Sequence, residues 1–86
     1  MIDAYQFLPV VRTALRLRTT AYDEELILYI DHVLEEFRRV GVEDCFSSTA
    51  INCVIAYVKS QFGNADAEKK EAWTRTYDRI LVGMVV

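Results

Sequence analysis

The side chains in this chain that carry chemistry are few: Cys45, Cys53, His32 and the carboxylates Glu24, Asp31 and Glu35. Thiolate and imidazole are zinc ligands, but a structural zinc site needs paired CxxC or HxxxH spacings, and neither is present. In a reducing cytosol, Cys45 and Cys53 read as two free, buried thiols. Glu24, Asp31 and Glu35 recur on one face of a helix, where paired carboxylates can run acid–base chemistry if a pocket drives their pKa values apart. That face also carries His32 and Arg39, which is the pattern of a solvated surface. No serine has a matching His and Asp, no glycine-rich loop can cradle phosphate, and no HExxH helix occurs. The expectation is a protein without catalytic residues, cofactor or metal.

The elements that position these residues follow from punctuation and period. The chain of 86 residues is 52% hydrophobic with a single Pro and three Gly, too apolar and too poor in breakers for disorder. The spacing predicts four helices in one domain spanning 1–86. Pro9 suits the first turn of a helix, and Val11, Ala14 and Leu15 follow at helical spacing to an end near Leu17. Residues 18–22 read as a loop, with Thr20 and Asp23 resembling a capping box. The second helix follows, with Asp23, Glu24 and Glu25 in its first turn. It carries Leu26, Ile27, Ile30, Val33, Leu34 and Phe37 on one face, and Gly41 is its expected stop. Leu28 stands alone in the middle of the polar side.

A third helix is expected from a cap at Ser48 or a neighbour to Phe62, closed by Gly63. It is apolar around most of its circumference, with Asn52, Ala56, Lys59 and Ser60 outside, and is therefore expected at the centre. The fourth is capped by Asn64 or Asp66 and lines up Trp73, Tyr77, Ile80, Leu81 and Met84. Glu71 and Arg75 pair on its solvated side. The fold class expected is all-α, a small four-helix bundle-like domain.

Net charge is −3 and the pI about 5.0, which argues against recruiting nucleic acid by neutralising phosphate. No apolar run reaches the ~20 residues that cross a bilayer, and residues 1–6 lack the basic flank and apolar core of a signal peptide, so a cytosolic protein is expected.

The order of residues resembles a family. Val11 through Leu17, a short loop, then Asp23 through Ile30 look like the opening of the head-tail connector (adaptor, DNA-packaging) proteins of tailed bacteriophages. Ala50-Ile51, then Ala56 through Lys59, Phe62-Gly63, Trp73, Tyr77 and Leu81 are similar to that family's third and fourth helices. The resemblance runs from about Val11 to Met84. It implies a structural virion protein of a phage or prophage, built in the host cytoplasm and placed at the head-tail junction. There it forms a ring, commonly dodecameric, between the portal protein and the next tail-completion protein, and DNA passes through. A heterologous contact repeated around an axis closes such a ring.

Family members often continue in a tail that meets the portal. Here Met84 and Val85 either complete the packing face begun by Trp73, Tyr77 and Leu81, or Val85 and Val86 are the remnant of that tail and pack on the portal or a neighbouring subunit. Leu28, Met84, Val85 and Val86 are the candidate contact residues. Two alternatives come from other classes: a small helical DNA-binding regulator, or a host-directed interaction protein. The regulator needs exposed basic or polar residues at the start of a recognition helix, and the third helix offers mainly Asn52 and Lys59.

Overall fold

A computed structural model describes residues 3–63 and 66–84. Its elements are a 3-10 turn (Ala4–Phe7) and four α-helices: α1 (Leu8–Leu15), α2 (Asp23–Val40), α3 (Ser48–Gln61) and α4 (Ala67–Met84), with no strand among the described residues. The all-α class and the four-helix reading are correct.

The chain enters structure earlier than the Pro9 signal suggests. The Asp3 carboxylate accepts the Tyr5 N–H, and Gln6 returns a bond to the Asp3 N–H (both 2.9 Å). This reciprocal cap nucleates the 3-10 turn that feeds α1. Helix α1 also stops earlier, at Leu15, because Arg16 takes a left-handed conformation (φ 59°). Leu17 N–H then reaches back to the Arg12 carbonyl at 2.9 Å, closing the end as a Schellman-type turn without glycine.

The capping box expected from Thr20 and Asp23 does not form. Tyr22 precedes α2 without a side-chain cap, and the Thr20 carbonyl accepts the Asp23 N–H at 3.1 Å as an ordinary turn. The Asp23 carboxylate is engaged elsewhere: Arg12 donates to both its oxygens, from Nε at 2.9 Å and from a terminal nitrogen at 2.5 Å. This fork-to-fork pair joins α1 to the start of α2, where negative charge also favours the helix dipole.

The other boundaries follow the sequence signals. Gly41 ends α2 at φ 83°, and Val42 N–H bonds the Phe37 carbonyl at 2.9 Å. Ser47 caps α3 by accepting the Ala50 N–H at 3.1 Å. Gly63, at φ 89°, follows Phe62 beyond the helix end. The Asp66 carboxylate accepts the Lys69 N–H at 2.8 Å and so starts α4; Asn64 lies outside the described residues.

Helix α3 is central, touching α1, α2 and α4. Its buried set includes Ala50, Cys53, Val54 and Val58, packed with Phe7, Val11, Leu26, Ile30, Val33 and Phe37. The expectation that Ala56 and Ser60 face outward is wrong: they are 1% and 5% exposed. Both lie on the flank that contacts α4, where small side chains let two helices approach closely. The Ser60 hydroxyl donates to the Tyr57 carbonyl at 2.6 Å, which satisfies its burial.

Candidate functional site

The thiols and hydroxyls inside the molecule are held in their neutral forms. Cys45 and Cys53 are free and buried, as the sequence suggested. Burial pushes the Cys53 thiol up to about 12, with a smaller contribution from Asp78, and also raises Cys45. A thiol so placed is protonated at neutral pH and is a poor nucleophile or metal ligand. No cluster of metal-ligating side chains occurs among the described residues.

His32 is exposed, but it is more than a solvated residue. Its ring stacks on Tyr57 with centroids 4.7 Å apart and planes 15° from parallel. Tyr57 in turn meets Tyr29 at 6.4 Å and Tyr77 at 5.0 Å. This column ties α2, α3 and α4 together, with aromatic geometry of the favourable offset and edge kinds. The Tyr29 hydroxyl donates to Glu25 at 3.0 Å. Burial raises the pKa of Tyr29, Tyr57 and Tyr77. The arrangement staples the three helices together.

The carboxylates Glu24, Asp31 and Glu35 are exposed along α2. Glu35 pairs with Arg38 at 2.6 Å, and the neighbouring Glu36 with Arg39 at 2.5 Å. The groove that Glu35 lines with Glu36, Arg38 and Arg39 includes neither Glu24 nor Asp31. Glu71 and Arg75 pair on α4 at 3.4 Å, as their spacing suggests.

What remains is surface, and its two kinds differ sharply. The outward side of α2 is dense in charge. By contrast, Cys45 to Val58 contains no Asp, Glu, Lys or Arg, and neither does Ala4 to Val11, although charged residues make up 27% of the chain. Part of the first run faces out from α3. Ser48, Ile51, Asn52 and Ile55 recur at helical spacing on the side opposite buried Ala50, and are exposed or half-buried. At the start of α3, Phe46 is 44% exposed and stacks on Phe7 at 4.9 Å. One turn beyond Phe7 is Val10, also partly exposed. The start of α3 therefore meets the 3-10 turn that leads into α1. Sequence reasoning missed this surface; the signal was the charge-free run itself, read for what it leaves outside as well as for its apolar core.

Of the residues singled out from the sequence, Leu28 is 69% exposed on the outward side of α2. Met84 is half-buried at the end of α4 and lines a groove with Gly41, Val42, Ser47 and Thr49. Leu28 lies about 20 Å along the α2 axis from Gly41, at a rise of ~1.5 Å per residue. The fold therefore does not bring Leu28 and Met84 together. Val85 and Val86 lie outside the described residues. No helix of the described residues is long and apolar enough to cross a membrane. Set against protein-family models, curated proteins and solved structures, the chain matches none of them.

Proposed function

We propose that this chain is a structural subunit of a tailed phage or prophage, a head-tail connector that assembles as a ring between the portal and the next tail component. The single observation behind the reading is the order of short motifs from Val11 to Met84: Val11 through Leu17, which begins on α1 and ends just beyond it, Asp23 through Ile30 on α2, Ala50-Ile51 and Ala56 through Lys59 on α3, Phe62-Gly63 after it, and Trp73, Tyr77 and Leu81 on α4. In this reading the protein carries out no reaction and holds no cofactor. It acts in the host cytoplasm during assembly and at the head-tail junction of the virion. Leu28 and the Met84 end are its contact residues, the first because it is a large apolar side chain surrounded by charge and 69% exposed. DNA passes the ring without being gripped, since an acidic chain does not favour adhesion to phosphate.

The test is co-expression with a portal protein encoded nearby, followed by purification through the portal and electron microscopy. A ring of this chain on the portal is the expected result. Absence of co-purification, together with salt-sensitive binding to a defined duplex, would replace the reading with that of a small DNA-binding regulator. That alternative draws little support from the outward side of α3, where the first cation is Lys59.

A further inference from the structure

We infer that the uncharged side of α3 is where a second copy of this chain docks, the two α3 helices running antiparallel across a two-fold axis near Asn52. The inference does not rest on the connector reading. It concerns the chain alone in solution.

The argument starts from charge. A two-fold contact sets a surface against itself, so every charge on it meets a like charge or must be offset by a partner along the surface. On α2, Asp23 is taken by Arg12, but Glu24, Glu25, Asp31, Glu35 and Glu36 still outnumber Arg38 and Arg39, and self-apposition there is repulsive. The α3 stripe of Ser48, Ile51, Asn52 and Ile55 carries no charge, so it can face its own copy without that cost. Its centre offers two half-buried isoleucines separated by small or neutral polar side chains, which suits close helix packing.

The ends of the stripe specify direction. Glu43 and Asp44 precede Phe46 at the N-terminal end, and Lys59 closes the C-terminal end. Lys59 is held in place over the Trp73 ring, 4.7 Å from its centroid. Parallel apposition would set Lys59 against Lys59 and Asp44 against Asp44. Antiparallel apposition about Asn52 sets each lysine near the partner's acidic end. The same arrangement opposes the two helix dipoles favourably. An uncharged centre with unlike ends is thus complementary to itself in one orientation.

The experiment uses the full chain. Sedimentation equilibrium from about 1 to about 500 µM reads the pairing constant over a range that brackets weak association. The expected result is a monomer–dimer equilibrium that weakens as salt rises, because salt screens the charge pairs at the two ends. Asn52→Glu puts two like charges at the axis on an exposed position that leaves the monomer's packing alone, and should weaken pairing at least ~10-fold. Ala72→Glu, on the exposed outward side of α4, should leave it unchanged. Asn52→Cys should yield a disulfide-linked dimer under mild oxidant, because Cys45 and Cys53 are buried. Lys59→Asp should weaken pairing, and adding Asp44→Lys should restore it. A chain that stays monomeric throughout the range, or an Asn52→Glu variant that pairs like the parent, overturns the inference and leaves this side for a different protein. Neither result bears on portal binding, which the co-purification reads separately.

Discussion

Helices α2 and α4 are both 18 residues long, and each carries an apolar stripe at helical spacing, yet α2 buries five side chains and α4 buries one, Tyr77. The cause is the number of neighbours. Helix α2 is covered by the 3-10 turn, α1 and α3, whereas α4 leans on α3. Trp73, Ile80, Leu81 and Met84 therefore sit at the margin of the core and remain half-buried. Amphipathic pattern states which side of a helix turns inward; it does not state how many elements will cover that side. Most of the buried side chains lie in α1, α2 and α3, and α4 buries the fewest of the four helices.

The largest effect available tests the centre that the two helices share. Val54→Asp or Val58→Asp, at positions 0% exposed, places an unpaired charge among apolar side chains. This should cost several kcal/mol against a total of about 5–15 kcal/mol and unfold the domain. A variant that melts like the parent would remove α3 from the centre. The contrast itself is tested one level down. Phe37→Ala in α2 should cost about 3–5 kcal/mol. Trp73→Ala in α4 removes a larger side chain that is only half-buried, and should cost less. Amide exchange should show the same order, with α4 opening at lower free energy than α2. Equal protection of the two helices would contradict the reading.

Most of the fold was legible because each helix announces itself by independent signals that agree. Gly41 as a stop, a serine cap at the start of α3 and Asp66 at the start of α4 are local chemistry, and local chemistry is what a sequence displays directly. The failures came where a partner far along the chain competes for a side chain. Thr20 and Asp23 have capping-box spacing, but Arg12 claims the Asp23 carboxylate. Ala56 and Ser60 look peripheral on a wheel drawn for one helix, and only the approach of α4 makes their flank an interior. The start of α1 was obscured because Asp3 and Gln6 signal a 3-10 turn, which is too short to show a period. As for the candidate contact residues, the exposure of Leu28 was legible from its charged neighbours. The uncharged side of α3 was not, because its isoleucines look the same in sequence whether they complete the core or flank it.

A pH dependence sharpens the comparison further. The Asp23 carboxyl is held below its ordinary 3.8, chiefly by the hydrogen bonds from Arg12, with their charge attraction adding to the effect. A carboxyl lowered in the folded state contributes stability that is present above its unfolded value and lost as pH falls through the lower folded value. Acidification below about pH 4 should therefore loosen the α1–α2 seam. Asp23→Asn should flatten that part of the acid limb while leaving α4 exchange unchanged. An acid limb identical in parent and variant would mean that the pair contributes nothing.

The smallest expected effect has the opposite sign. The Tyr77 hydroxyl is buried, and no described residue bonds to it. A buried hydroxyl without a partner loses its hydration and gains nothing in exchange, at a cost of about 1–3 kcal/mol in mutational series. Tyr77→Phe keeps the ring, its contact with Tyr57 at 5.0 Å and the backbone carbonyl that accepts from the Cys53 thiol at 3.9 Å. Only the orphaned oxygen is removed. The variant should be as stable as the parent or more stable by up to about 1 kcal/mol, read from urea unfolding with an unchanged slope. Because Tyr77 is the one fully covered side chain of α4, the gain should also appear as slower amide exchange along that helix. A loss of more than about 1 kcal/mol would mean that the hydroxyl is satisfied after all, and that α4 is pinned to the bundle by a polar contact as well as by its ring.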